Sequence, residues 1–352
     1  MRSLGFALLL LASGVAYGQI NSPKISVNSL MSYQFSNLNA EDQSRDPNGF
    51  RLRETEVAFI SDVDPYSKLT LILAIHPEYE LNNADQKIEE SWLIEPEEAF
   101  AESTYVDRLT LKGGKFRAAF GKSNAIHTHA LPFYDAPLAN VVLLGEEGLN
   151  DVGVSASYLL PFSFYSDLTA QILRGGGENS QFSSESPNDS LGLIHTKNLW
   201  DLSDASTLEW GASFAQGANS VGGNTNLYGM DLTFKWRPVA NAKSKSLIVS
   251  TEWIGSEIKG NRLQQDEKKD GFNTWAQLQW KERWYSGIRY DNVESTERLT
   301  LTTEFRATEF SSFRLDLSRA QAMDDLVGVQ KDENKVSLQA NFTIGSHPAH
   351  SY

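Results

Sequence analysis

Basic and acidic side chains crowd one stretch of this 352-residue chain. Lys112, Lys115, Arg117 and Lys122 follow one another closely, and Asp135, Glu146 and Glu147 come soon after. Set across a narrow space, such opposed charges make a field that orients polar solutes and sorts ions by sign. Two imidazoles, His127 and His129, stand at i, i+2 between the basic and acidic groups, and His347 and His350 stand at i, i+3 near the end. Imidazole is the commonest zinc ligand, so each pair can begin a metal site, His127 and His129 being the better candidates. The chain has no Cys, which excludes thiolate sites, and apart from zinc no cofactor is expected. Covalent chemistry has little to work with. There is no nucleophile elbow, HExxH or P-loop, and His195 beside Thr196 has no evident partner. No catalytic residue is assigned, and the chain is not expected to be an enzyme.

Something must hold those charges in place. A strand-like run ends near Arg117 and another starts at Val152, so Gly121 to Gly148 form a long connection. That connection carries Ile126, Leu131, Phe133, Leu138, Val141, Val142, Leu143 and Leu144. A loop this apolar must pack against something. Elsewhere the dominant period is two. Ile25, Val27, Met31, Tyr33 and Phe35 alternate with polar residues, as do Leu208, Trp210, Ala212 and Phe214, and Val336, Leu338, Ala340, Phe342 and Ile344. Runs of about ten such residues suit tilted strands that cross a bilayer, apolar side outward and polar side inward.

Connections alternate in length. Asp62–Ser67, Tyr105–Arg108, Leu160–Phe164, Lys281–Arg283 and Ala307–Ser311 are short. Ser36–Gly49, Pro77–Ser91, Gly175–Ser190, Gly255–Asp270 and Ala320–Glu333 are long and polar. Brief periplasmic turns and larger outer loops produce this pattern, whereas a soluble sandwich would show shorter strands and no loop asymmetry. The expected fold is therefore all-β, a transmembrane antiparallel up-and-down barrel of about sixteen strands, an even number as such barrels require. With the outer face committed to lipid, the apolar connection, which is the third outer loop, must fold inward. It would then set Asp135, Glu146 and Glu147 opposite Lys115 and Arg117. Alternation also places Lys112, Arg174, Lys235, Arg289, Arg306 and Arg314 inside, with Glu102, Asp231, Glu252, Asp291, Glu304 and Asp316.

Phe50 to Ser61 resists a single register. With Glu54 and Glu56 facing the lumen, Arg51 and Arg53 fall on the lipid side unless a bulge resets the pleat. At the start, Arg2, the apolar run Leu4–Val15 and Ala16-Tyr17-Gly18 read as a secretory signal over 1–18, leaving 19–352 for the barrel. A net charge of −14 argues against nucleic acid. Mean hydropathy of −0.37 is too low for a helical membrane protein. Eight Trp, twelve Tyr and eighteen Phe suit the aromatic girdles of a barrel.

Several phrases resemble a known group. Gly49-Phe-Arg-Leu-Arg, Glu98-Ala-Phe and Leu111-Lys-Gly-Gly-Lys-Phe-Arg-Ala-Ala-Phe-Gly resemble the phosphate-selective porin O and P type. Val63-Asp-Pro-Tyr, Asn124-Ala-Ile-His-Thr-His, Leu144-Gly-Glu-Glu-Gly-Leu and Gly345-Ser-His-Pro-Ala-His-Ser-Tyr resemble a porin-like group labelled zinc-regulated TonB-dependent outer-membrane receptors. The resemblance implies a sixteen-stranded, trimeric outer-membrane channel narrowed by its third outer loop, which passes small polar solutes or ions. Its partners would be outer-membrane lipid, lipopolysaccharide and the barrel-assembly machinery. Phe342 and the terminal Tyr352 resemble the aromatic assembly signal of such barrels. The alternative is a receptor or adhesin barrel, or a zinc-related uptake protein. A TonB-dependent transporter needs 22 strands and a plug, and sixteen strands use up this chain.

Overall fold

Period-two alternation produces strands because successive side chains of an extended backbone point to opposite faces. In the computed structural model, which describes residues 22–38, 47–82, 87–176, 181–183, 189–260, 265–324 and 329–345, those strands close on themselves. They are β1 (Lys24–Ser36), β2 (Gly49–Asp62), β3 (Ser67–Asn82), β4 (Lys87–Val106), β5 (Leu109–Arg117), β6 (Asn150–Leu159), β7 (Tyr165–Leu173) and β8 (Leu191–Ser203). After them come β9 (Ser206–Ala218), β10 (Asn224–Trp236), β11 (Ser246–Ile258), β12 (Glu267–Lys281), β13 (Trp284–Val293), β14 (Thr296–Thr308), β15 (Ser311–Asp324) and β16 (Val329–Gly345). Each pairs antiparallel with its chain neighbours, and β16 returns to β1 in a register running from Ser26 opposite Gly345 to Ser36 opposite Lys335. The fold is the expected sixteen-stranded antiparallel barrel.

The burial is inverted relative to a soluble domain. Leu299, Leu301, Phe313, Leu315, Leu317 and Leu338 are exposed on the outer face, while Thr300, Thr302, Glu304, Arg314, Asp316 and Gln339 are buried. In a membrane the exposed set meets acyl chains and the buried set meets the lumen. Aromatic pairs gather at the short turns. Tyr66 meets Tyr105, Phe164 meets Phe162 and Trp200, and Trp284 meets Trp280 and Phe305, which forms a girdle at that end.

Two readings of the chain are refined here. Pro77–Ser91 and Ala320–Glu333 are largely strand and Gly255–Asp270 is strand at both ends, since β3, β4, β11, β12, β15 and β16 extend into them. Ladder hydrogen bonds need no apolar side chains, so hairpins continue past the apolar band into polar sequence. In β2 the bulge is the solution: Leu30 pairs with Glu54 and Met31 with Leu52, leaving Arg53 as the extra residue. An Arg against lipid at mid-depth costs about 2–4 kcal/mol, and two would cost more than a local kink. The bulge lets Arg51 reach Ser32 and Gln34 (3.3 and 2.9 Å), so neither Arg51 nor Arg53 faces lipid.

Phe342 lies on the outer face of β16, edge-on to Phe313 at 6.0 Å. Residues 1–18, His347, His350 and Tyr352 lie outside the described residues. Because β16 supplies both seams of the closure, truncation after Asn334 is expected to abolish folding. The heat-modifiable band of the native barrel on unboiled gels should be lost; a truncated chain that keeps it would show that closure does not depend on β16.

Candidate functional site

Between β5 and β6 the chain leaves the wall at Ala118 and rejoins it at Leu149. Asn124 ties this neck: its side chain donates to the carbonyls of Ala118 and Leu149 (2.9 and 3.1 Å) and accepts the Leu149 amide (2.7 Å). From there the segment visits wall strands all around the barrel. Ala119 N–H donates to Gln171 of β7, Gly121 N–H to Ser213 of β9 and Lys122 N–H to Glu252 of β11 (3.0, 2.8 and 2.9 Å). Tyr134 N–H donates to Asp316 of β15 and Leu138 N–H to Asp291 of β13 (2.7 and 2.9 Å). Arg289 and Arg298 donate to the carbonyls of Asp135 and Ala136, each at 2.8 Å. One segment can touch β7, β9, β11, β13, β14 and β15 together only from within the ring those strands form.

Apolar packing accompanies these bonds. Phe116, Phe120, Leu143 and Leu144 join Leu193, Ala215, Leu227, Ile254 and Val293 of the wall in one buried cluster. Leu138–Leu144 form a single short helix, α1, which packs on β11, β12 and β13. Phe133 is fully buried, edge-on to Trp275 at 6.1 Å with the Arg289 guanidinium 4.8 Å from its ring. Leu131 is buried and Val142 is 45% exposed, so not every apolar residue of the connection is covered. Inward apolar residues such as Leu193, Leu227 and Ile254 break the polar-inside rule of a porin wall. That departure was the available signal for a covered patch, and alternation alone did not use it.

The charged residues sort into separate groups. Arg117 pairs with Glu97 and lies 3.6 Å from Glu147, whose carbonyl it also binds at 3.1 Å. Lys115 lines a cavity of about 360 Å³ with Glu95, Glu97, Glu147 and Arg174. Lys122 reaches Glu209 at 2.5 Å, and Lys112 sits 4.2 Å from the Phe100 ring centroid. Glu146 is exposed. Asp135 does not oppose Lys115 and Arg117. It pairs with Lys335 of β16 at 2.5 Å and Arg298 of β14 at 3.6 Å, because Asp135 and Glu147 stand at opposite ends of α1. Burial raises the Asp135 carboxyl, but Lys335, Arg298 and Arg53 outweigh it and hold it below the usual carboxylate range.

His127 and His129 enter a cluster of carboxylates from β2 and β4. His127 Nε2 lies 3.1 Å from Glu98, and His127 Nδ1 lies 3.2 Å from Glu97 and 3.6 Å from Glu56. His129 Nδ1 is 2.7 Å from the other Glu56 oxygen. Burial disfavours charge on His127, but hydrogen bonds to Glu97 and Glu98 and the charges of Glu97 and Glu56 hold its pKa well above the usual value. Burial and the neighbouring positive His127 push His129 down to about 4. The two imidazoles are thus shifted in opposite directions. Sequence reading missed Glu56, Glu97 and Glu98 as their partners, since only the path of the connection back over β2 and β4 brings them together. His195, weighed for catalysis, is 2.8 Å from Ser213, whose hydroxyl also receives the Gly121 amide.

No family profile matches this chain. A protein of Aquifex aeolicus (strain VF5), described as uncharacterized, is 28% identical over 86% of this chain and 70% of its own length. Among solved structures, an anion-selective porin from Comamonas acidovorans aligns with a TM-score of 0.61 and 10% identity, covering 92% of this chain and 100% of the porin. The outer-membrane channel DcaP of Acinetobacter baumannii aligns at 0.58 and 9% identity, over 92% of this chain and 96% of DcaP. The trimer form of the outer-membrane protein OmpT of Vibrio cholerae aligns at 0.55 and 9%, over 92% and 99%. These identities establish a shared fold, that of an outer-membrane porin barrel. They do not single out the phosphate-selective or the zinc-regulated group.

Gly121 takes a φ of +59°, and a methyl group there would collide with Glu252 Oε1. Glu252 receives the amides of Lys122 and Ser123 through that same oxygen. Gly121→Ala should therefore strain the backbone and displace the carboxylate, costing roughly 1–3 kcal/mol of local docking energy. Amide exchange across 118–124 should speed up while the strands stay protected. Unchanged exchange would show that Glu252 is not a fastening point.

Proposed function

We propose that this chain forms a water-filled outer-membrane channel for passive diffusion of small polar solutes or ions, assembled as a homotrimer and narrowed by residues 118–149. Sixteen strands enclose an aqueous lumen, whereas eight would be filled by their own side chains. The observation that carries the reading is the connection between β5 and β6, bonded to wall strands on several sides of that lumen. A segment so placed leaves solutes only the space beside it.

The charges around that space define its selectivity. Glu95, Glu97, Glu147 and Lys115 surround the cavity beside β4 and β5. Arg289, Arg298 and Lys335 come from β13, β14 and β16, another sector of the wall. Acid on one side and base on the other makes a transverse field, which confinement and reduced dielectric strengthen relative to bulk water. Such a field orients dipolar or zwitterionic solutes and weakens pure phosphate preference. Trimeric assembly is supported by the trimer form of one fold relative.

Replacing Ile126–Leu143 by a short Gly/Ser linker should raise single-channel conductance in planar bilayers and flatten the ion preference read from reversal potentials. Unchanged conductance in a folded barrel would place the segment outside the conduction path. A folded wild-type barrel without conductance would remove the channel reading itself.

A further inference from the structure

We infer that Glu56, Glu97 and His127 form a three-ligand site for a divalent ion of the zinc class, which fastens the connection to the barrel wall. The inference does not depend on which solute passes the lumen.

The first ground is the donor set and its spacing. One carboxylate oxygen of Glu56, one of Glu97 and a ring nitrogen of His127 all lie within 4.8 Å of one another. His127 Nδ1 stands 3.2 Å from Glu97 Oε1 and 3.6 Å from Glu56 Oε2. A tetrahedral ion with bonds of about 2.0–2.1 Å keeps its donors about 3.3 Å apart, so these side chains need to move little to close around one. One imidazole and two carboxylates are the donors that suit zinc, and three protein ligands leave a fourth position for water. All three residues are buried at this junction.

The second ground is an unanswered acceptor. Glu97 is 4% exposed, and its Oε2 makes no hydrogen bond among the described residues. Glu54 Oε1, next along β2, is in the same condition. Burying carboxylate oxygens without a donor is costly, and a coordinated cation removes that cost. Glu54, Glu56, Glu97 and Glu98 converge here from β2 and β4, the strands on either side of β3, with the Arg117 guanidinium paired to Glu97.

The third ground is the outer shell. Each ligand already has a supporting partner. His127 Nε2 is held by the Glu98 carboxylate at 3.1 Å, the carboxylate–imidazole arrangement that orients metal-bound histidines. Glu56 Oε1 is held by His129 Nδ1 at 2.7 Å, which leaves Oε2 turned toward His127. Glu97 Oε1, the oxygen that also faces His127 Nδ1, is held by Arg117. Of the two loop histidines, His127 is thus the ligand and His129 a positioning residue. The site joins β2, β4 and the connection, so occupancy would pin the connection near its middle.

Isothermal titration of the untagged, chelator-washed full-length barrel in detergent with ZnCl₂ alone should show one ion bound per chain. His127→Asn and Glu97→Gln should abolish that binding. His129→Gln and Glu98→Gln, which alter only the supporting partners, should weaken it about 10–100-fold. His195→Asn on β8 and the double change His347→Ala/His350→Ala should leave it intact. Retention of the heat-modifiable band reports folding for every variant. Wild-type protein loaded with CoCl₂ should show the strong visible absorption of a tetrahedral nitrogen–oxygen site, a reading that needs no variant to fold. Absence of saturable zinc binding or of that absorption in the wild type overturns the inference. So does full binding by folded His127→Asn, or loss of binding in the tail variant.

Discussion

In hydrocarbon an unpaired backbone amide has no water to bond, so a sheet that crosses a membrane cannot have an edge. Pairing of β16 with β1 is therefore the contact on which the rest of this structure depends. Closure divides every strand into a lipid face and a lumen face, and the alternation of Leu299, Leu301 and Phe313 against Thr300, Thr302 and Arg314 follows from it. Closure also explains why β2 accepts a bulge at Arg53. A one-residue slip is cheaper than holding two guanidinium groups against acyl chains. The bulge has a second effect, since it brings Arg51 and Arg53 to Tyr134 of the connection.

The lumen then holds what a soluble core seldom could. Arg289 and Asp291 are almost wholly enclosed at 1% and 0% exposure, and they survive because each charge has several partners. Buried pairs of this kind add little net stability, as desolvation offsets most of their attraction. What they do is fix position. Arg289 and Arg298 grip consecutive carbonyls, those of Asp135 and Ala136, and so set where the connection crosses.

The architecture was legible because one rule, period two, governs nearly every strand. Length asymmetry between turns and loops was equally plain in sequence. What stayed hidden depends on which strands become neighbours or face each other. Asp135 was expected beside Arg117, its near neighbour in the chain, yet it reaches Lys335 on the last strand. His127 and His129 stood out as possible ligands, but Glu56 and Glu97 come from strands far away in sequence. Strand ends were misjudged where polar hairpins rise above the membrane, because hydropathy marks the lipid band and not the ladder.

The connection between β5 and β6 is part of the fold and not a flap laid into it. Burying a Leu or Phe side chain contributes roughly 1.5–3 kcal/mol, and Phe120, Phe133, Leu143 and Leu144 are all fully buried. That total exceeds what the flanking ion pairs supply, so apolar contact holds the segment while charges set its place. The wall has a matching feature. Leu193, Leu227 and Ile254 point inward, where water would otherwise meet them, and they are covered by the same cluster. Displacing the connection would expose both apolar surfaces at once, so the packed position is the one this sequence stabilises. Between those apolar contacts, Glu252, Asp316 and Glu98 fasten the segment through single polar contacts.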